Sequence, residues 1–194
     1  MARMDDRPLP DGQLEIAVRT LLEEIGEDPQ REGLRDTPGR VRRMYAELTS
    51  GYQTDPDALI NEACFEVEYD EMVVVRDIEF FSLGEHHLLP VYGRAHLGYL
   101  PRGRVIGLSN IPRIVDMFAR RLQVQERMTQ QVATFLMERL EPKGVACVVE
   151  ASHLCTMMRG VKKEQAKMVT SAMLGTFRRD GRTRNEFLKL IGRG

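Results

Sequence analysis

The chain has 194 residues, 42% of them hydrophobic and 29% charged, which is typical of a globular protein with one main domain. A formal net charge of −1 argues against a dedicated nucleic-acid-binding protein, because such proteins usually carry a basic excess. No apolar run approaches the ~20 residues that span a bilayer, the first residues lack the apolar segment of a secretory signal, and the three cysteines have no framework spacing. We therefore expect a cytoplasmic protein without membrane contact or disulfides.

Two regions are predicted to precede the main body of the protein. Residues 1–12 are polar and contain two prolines, which predicts a flexible tail. Residues 13–61 are predicted to form an N-terminal helical arm, because apolar residues recur at helical spacing over about 13–26 and again over about 36–51. We expect this arm to pack on the main body or on a neighbouring subunit.

The main body is predicted to occupy residues 62–194 and to alternate between strands and helices. Runs rich in Val, Ile and Phe indicate strands, and apolar residues at helical spacing indicate helices. The predicted strands lie at 63–69, 72–82, 94–100, 145–152 and 167–177, and the predicted helices at 111–119, 122–140 and 183–191. The order predicts an α+β fold, a four-stranded antiparallel sheet with two antiparallel helices on one face. Four strands leave two open edges, which an oligomer would pair.

Three of the four histidines and one of the three cysteines lie in two short segments. His86 and His87 follow one predicted strand, and His153 and Cys155 follow another. Because residues i and i+2 of a strand share a face, His153 and Cys155 are predicted to face one site, whereas His86 and His87 diverge unless the backbone turns. Imidazoles and a thiolate suit zinc, although each group alone is more often structural, as we expect for His96.

Several longer stretches resemble the GTP cyclohydrolase I family. They are DTPGRVRRMY (36–45), EMVVVRDIEFFSLGEHHLLP (71–90), RVIGLSNIPRIV (104–115), ARRLQVQERMT (119–129) and ASHLCTMMRGV (151–161). The resemblance extends from about residue 13 to the end of the chain. It implies the tunnelling fold, in which antiparallel sheets join around a central barrel, and a homodecamer of two stacked pentamers.

The resemblance also implies a zinc site, with one departure from the family pattern. The family holds Zn²⁺ with a cysteine and two further ligands, which correspond here to His87 and Cys155, but the cysteine position is Gly84. A catalytic zinc normally has three protein ligands. Two hypotheses follow: an active enzyme whose metal shell is completed by water or a side chain such as His86, or a metal-deficient variant that binds GTP and turns it over poorly.

The reaction implied by the resemblance is hydrolytic opening of the imidazole ring of GTP. Formate leaves and the ring recloses to 7,8-dihydroneopterin triphosphate, the first step of tetrahydrofolate and pterin biosynthesis. The implied catalytic residues are His86 and His153 for proton transfer and Ser109 for the ribose rearrangement.

For substrate binding, the resemblance implies Glu126 for the guanine N1 and 2-amino donors and Gln125 for a ribose hydroxyl. Arg159, Arg113 and Arg40 are the implied triphosphate ligands, with Arg40 reaching across a subunit boundary. A further alternative is a non-catalytic nucleotide-binding scaffold of the same fold, whereas a related enzyme such as a nitrile reductase is disfavoured by the full GTP-site pattern. The sequence identifies no regulatory protein.

Overall fold

The structure, a computed structural model, describes residues 12–60 and 64–192. Apart from Gly12, the predicted tail lies outside these residues, and so does the predicted boundary at 61–62. Within the two described ranges, no helix is both long enough and apolar enough to cross a membrane.

Helices and strands alternate along the chain largely as predicted. The helices are α1 (Gln13–Glu24), α2 (Thr37–Leu48), α3 (Asn110–Ala119), α4 (Gln125–Leu140), α5 (Leu154–Met157), α6 (Thr176–Arg179) and α7 (Gly181–Leu190). The strands are β1 (Cys64–Glu66), β2 (Val73–Gly84), β3 (Pro90–Leu100), β4 (Arg104–Ile106), β5 (Leu122–Gln123), β6 (Gly144–His153) and β7 (Met168–Gly175). A short 3-10 helix at Ser50–Tyr52 follows α2.

The N-terminal arm consists of α1 and α2, which pack against each other. Arg42 Nη1 of α2 donates to Glu15 Oε1 of α1 at 3.1 Å. Val18 and Leu22 are buried, yet three large apolar side chains of this region, those of Ile16, Leu21 and Ile25, are more than half exposed. The arm therefore presents an apolar surface to its surroundings.

The main sheet has five strands in the order β5-β2-β3-β6-β7, one more than predicted. β2, β3, β6 and β7 are antiparallel neighbours, which confirms the predicted four-stranded core. β5 pairs parallel to β2 at one edge. The predicted strand at 63–69 shortens to β1, which pairs with β4 in a separate two-stranded sheet. The sequence does not reveal β4 and β5 because two or three residues are too few to show an alternating pattern.

Strand β6 separates two apolar clusters. Val145, Cys147 and Val149 face the larger cluster, which includes buried residues of α3 and α4, while Ala146 and Val148 face Phe177 and Phe187. The two predicted antiparallel helices thus cover one face of the sheet, and α6 and α7 cover part of the other.

Gly98 of β3 allows the close packing of α7 on the sheet. A Cβ atom at this position would lie 2.7 Å from Cδ2 of the Phe187 ring, closer than packed atoms approach. Phe187 itself is fully buried. The absence of a side chain at Gly98 is therefore required by this contact.

One end of the sheet gathers the segments that carry the predicted site residues. Gly84, at the end of β2, pairs with Gln123 of β5, and Val91, near the start of β3, pairs with His153 at the end of β6. The connection between β2 and β3 and the N-terminus of α4 lie at the same end. Strand register thus brings together residues that are up to about seventy positions apart in sequence.

Candidate active site

A cavity of about 200 Å³ opens at this end of the sheet. Its lining combines imidazole, thiol, carboxylate and amide groups with a few apolar side chains. The lining residues are Gly84, His86, His87, Leu89, Gln123, Val124, Gln125, Glu126, His153, Cys155 and Met168. A larger cavity of about 820 Å³ borders β3, β6 and Ile191, but none of the predicted site residues line it. Of these two cavities, therefore, only the smaller one is lined by residues that were predicted to form the site.

The two adjacent histidines both reach this cavity because the backbone turns between β2 and β3. Residues 85–87 form a turn, and Leu88 has a positive φ of 55°. The imidazole centroids of His86 and His87 lie 6.5 Å apart with their planes at 83°. The sequence predicts that His86 and His87 diverge unless the backbone turns between them. The turn is present, and both imidazoles face one site.

An ion pair connects this turn to helix α4. Arg127 donates from Nη1 and Nη2 to the two carboxylate oxygens of Glu85 at 2.7 and 2.8 Å. The hydrogen bond from Arg127 lowers the pKa of Glu85 below its usual value. Bidentate pairing of this kind fixes orientation as well as distance, so it holds the turn against the first part of α4.

His153 is hydrogen-bonded to a buried amide. Its Nε2 lies 2.8 Å from Oε1 of Gln125, whose side chain is only 4% exposed. Burial lowers the pKa of His153, and the nearby Glu126 carboxylate partly offsets this effect. Burial therefore favours the neutral ring over the charged one, and the neutral ring has a nitrogen lone pair that can accept a proton.

Cys155 faces the same cavity, although not by the strand alternation predicted from the sequence. Strand β6 ends at His153, and Cys155 lies in the short helix α5. The prediction of a shared side for His153 and Cys155 is confirmed, because both line the cavity, but its stated reason is wrong. Here a turn from strand to helix brings the thiol to the site.

The donors present fall short of a zinc site. His87 and Cys155 line the cavity, but Gly84 supplies no side chain, and no group of three or more His, Cys, Asp or Glu residues in the described ranges is arranged to hold a metal ion. In addition, His87 Nε2 lies 3.0 Å from Nη1 of Arg159. The set supplies two protein ligands where a catalytic zinc normally has three.

The backbone at Gly84 nevertheless accepts a side chain. Its φ lies outside the left-handed region, and a Cβ atom there would meet Leu89 O at 3.5 Å and Val91 Cγ2 at 3.7 Å, which are ordinary contact distances. The departure from the family pattern is thus confined to the missing thiol and does not extend to the backbone.

Four other predicted residues do not line the cavity. Ser109 is exposed at the N-terminus of α3, where its side chain makes no capping hydrogen bond, and Arg113 is exposed on the same helix. Arg40, on α2, is exposed and lies 3.6 Å from Asp36. Arg159 is also exposed but contacts His87. Within one chain, therefore, only Arg159 of these four adjoins the site.

Gln123 is a polar cavity residue that the sequence analysis missed. It is 6% exposed, its Nε2 donates to Phe118 O at 2.8 Å and Gln131 Oε1 at 2.9 Å, and its Oε1 is buried without a hydrogen-bond partner among the described residues. Val124 is extended, with φ −114° and ψ 134°, so the glutamines on either side of it point to the same side. The pattern Gln-Val-Gln at the start of a helix was the signal that could have identified Gln123.

The remaining histidine and cysteines lie apart from this cavity. His96 is buried, and its Nδ1 accepts a hydrogen bond from Asp77 N at 3.2 Å, which agrees with the predicted structural role. Cys147 is fully buried, and burial raises its pKa to about 12. Cys64 lies on β1 and packs against the larger cluster. Cys155 is therefore the cysteine placed for chemistry.

An antiparallel sheet ending in a cavity with imidazoles, a thiol and a carboxylate is typical of an enzyme that moves protons on a polar ligand. The family model described as GTP cyclohydrolase I matches residues 14–192. This chain belongs to the GTP cyclohydrolase I family, which confirms the family and the tunnelling fold expected from the sequence.

Relatives named GTP cyclohydrolase 1 align with almost the whole chain. GTP cyclohydrolase 1 of Leptospira biflexa is 56% identical over 181 residues, which cover 93% of this chain and 99% of the relative. The proteins of that name from Alkalilimnicola ehrlichii and Coxiella burnetii are 56% and 55% identical, covering 92% and 90% of this chain and 97% and 95% of their own lengths.

Proposed function

We propose that this chain catalyses hydrolytic opening of the imidazole ring of GTP, release of formate and reclosure to 7,8-dihydroneopterin triphosphate. The observation that carries the proposal is the single cavity lined by His86, Gln125, Glu126 and His153 in a chain of the GTP cyclohydrolase I family. These residues come from three separate segments, and their convergence supports a common role.

Guanine recognition is assigned to Glu126, in the first turn of α4. Its carboxylate accepts hydrogen bonds from guanine N1 and the 2-amino group, which adenine does not offer in this arrangement. A site built around such donors discriminates strongly against bases that lack them, because the carboxylate is then left unpaired. Glu126 lines the cavity and lies close enough to His153 for its charge to raise the pKa of that ring, which supports this assignment.

Proton transfer is assigned to His153 and His86. One water adds at C8 of the guanine and opens the ring by breaking one of the two C8–N bonds. A second water hydrolyses the resulting formamide and breaks the other, so that C8 leaves as formate, and reclosure of the ring releases one water. N7 must gain a proton as its bond to C8 breaks, and a histidine that has first taken up a proton from water is suited to supply it. The half-buried position of His153 supports it as the donor to N7, and the exposed His86 assists transfers with solvent.

The zinc ion that the family resemblance implies is assigned to His87 and Cys155, and we infer that Gly84 limits its affinity. A bound zinc makes water acidic and therefore nucleophilic near neutral pH. Because only two protein ligands are present, we expect zinc to bind more weakly than at a site with three. The ordinary contacts available to a Cβ atom at Gly84 support restoration of the third ligand by Gly84→Cys.

The triphosphate is assigned to Arg159 and, across subunit boundaries, to Arg113 and Arg40. Ser109, which also lies away from this chain's cavity, is assigned to the ribose of a neighbouring site. We infer a homo-oligomer, the decamer implied by the resemblance. The exposed apolar side chains of the N-terminal arm and the open edge of the sheet at β7 support this assembly.

The test is formate release from GTP by the full chain, with zinc content measured in the same sample and the mass of the assembly measured by ultracentrifugation. We expect formate and the dihydropterin product in equal amounts. A zinc-supplied chain that neither binds nor opens GTP would contradict the proposed function.

A further inference from the structure

The side-chain amide of Gln125 is held by four groups of the protein. Its Nε2 donates to Met168 O at 3.0 Å, and to Val149 O and Thr170 Oγ1, both at 3.1 Å. Its Oε1 lies 2.8 Å from His153 Nε2. The amide thus connects helix α4 to β6 and β7 and ends on the imidazole.

These partners determine which way the amide faces. The oxygens of Val149 and Met168 are backbone carbonyls, which only accept hydrogen bonds, so the NH₂ group of Gln125 must point toward them. The amide oxygen is then directed at His153. Since that oxygen also only accepts, Nε2 of His153 must carry a hydrogen.

The second ring nitrogen of His153 is left for the cavity. No hydrogen bond to its Nδ1 from another described residue is found, and it is not among the buried polar atoms without a partner in that part of the chain. The neutral ring therefore has its hydrogen on Nε2 and its lone pair on Nδ1.

We propose that Gln125 is a positioning residue that fixes the ring orientation and tautomer of His153, so that protons are exchanged with substrate only at Nδ1. This inference rests on the proposed function. In that reaction Nδ1 takes up a proton from water and gives it to guanine N7, while the hydrogen on Nε2 stays bonded to Nε2 and is donated in a hydrogen bond to the amide oxygen of Gln125. Gln125 itself does not touch the reacting atoms.

This role differs from the ribose contact predicted for Gln125 from the sequence. Both N–H donors of the amide are already used by three protein acceptors, and the side chain is nine-tenths buried. A ribose hydroxyl would have to compete for these groups. The geometry therefore favours a contact with His153 over one with the sugar.

The direct experiment measures the ring tautomer in the full chain labelled with nitrogen-15 histidine. Correlations between ring nitrogens and carbon-bound ring hydrogens distinguish Nε2–H from Nδ1–H, and the signals of His153 are those lost in His153→Gln. We expect the Nε2–H form. A neutral ring with its hydrogen on Nδ1 would overturn the inference without any Gln125 variant.

Two variants then separate positioning from substrate binding. Gln125→Leu removes the acceptor, and we expect mixed tautomers, about 10–100-fold slower ring opening from lost orientation and a Kd for GTP changed less than about two-fold. Gln130→Leu, at an exposed position of the same helix, is the matched control and should change neither quantity.

The outcomes distinguish this inference from the proposed function. A weaker Kd for GTP in Gln125→Leu with an unchanged His153 tautomer would support the ribose contact and overturn positioning. An Nε2–H ring in a chain that does not open GTP even with zinc would support positioning of His153 and contradict the proposed reaction.

Discussion

The cavity has two sides, and they differ in whether every position that the family pattern uses has a functional side chain. The helix side consists of Gln125, Glu126 and His153, and the turn side consists of Gly84 and His87. On the helix side, a buried amide with four hydrogen-bonded partners holds the imidazole. On the turn side, one position that should supply a metal ligand has no side chain.

This difference indicates that the hydrogen bonds that hold Gln125 and His153 do not depend on a side chain at position 84. The helix side is anchored by bonds to β6 and β7, none of which involves the turn between β2 and β3. The turn is instead held by the Glu85–Arg127 pair. Loss of one ligand at Gly84 therefore leaves the helix side intact, and we expect GTP binding to survive where turnover suffers.

Removing the imidazole from the helix side should produce the largest loss. For His153→Asn we expect ring opening to fall by roughly 10²–10⁴-fold, the usual contribution of a positioned acid–base group, with little change in GTP binding. Formate release and calorimetric titration with GTP measure the two quantities. Equal losses in both would mean that His153 binds substrate instead of moving protons.

Neutralising Glu126, the carboxylate proposed to bind guanine, should have an intermediate effect. We expect Glu126→Gln to weaken GTP binding by roughly 10–100-fold, because a charged acceptor for two donors is lost. Inosine triphosphate, which lacks the 2-amino group, should be affected less. Glu138→Gln, at an exposed position of the same helix, is the matched control and should bind GTP normally. An identical loss for both nucleotides would contradict the assignment.

Breaking the link between the two sides should have the smallest effect. Because the pKa of Glu85 is lowered by Arg127, the pair stabilises the fold above the ordinary glutamate value of 4.5, and this contribution is lost as the pH falls through the lowered pKa. Arg127→Ala should therefore lower the melting temperature slightly at pH 7 and not in acid, because surface pairs contribute little.

Thermal unfolding at several pH values tests this prediction. Glu85→Gln should reproduce the same pH profile, and combining the two changes should add nothing further. A destabilisation by Arg127→Ala that persists in acid would mean that Arg127 acts by packing and not through its charge.

The sequence was most informative where the residue types, or the spacing of the apolar residues, are distinctive. Helix α4 was found from its apolar spacing, and the Glu-His-His and His-Leu-Cys segments from their chemistry. By contrast, β5 has only two residues and shows no alternation of apolar and polar side chains. Helix α4 was therefore predicted to begin before Gln125, and the position of Gln123 at the cavity was missed. Cys155 was aligned with His153 by strand alternation, because a sequence pattern does not reveal the turn into a short helix after the predicted strand at 145–152.

The residues proposed to act across chains show a different limit of what the sequence can predict. Motif resemblance assigns Ser109, Arg113 and Arg40 to the site, yet none of them lines this chain's cavity. A sequence pattern identifies which residues take part but not which copy of the chain supplies them. Gly84 is the opposite case, because the sequence alone revealed the departure and the structure then showed that its backbone accepts a side chain.

The most direct test of the account is zinc bound per chain, measured with formate release from GTP, in the unmodified chain, Gly84→Ala and Gly84→Cys. Gly84→Ala adds a Cβ atom without a thiol and controls for the change in backbone and packing. We expect only Gly84→Cys to approach one tightly bound zinc per chain, with faster formate release. Full zinc occupancy and equal formate release in all three proteins would contradict the conclusion that the turn side lacks a ligand.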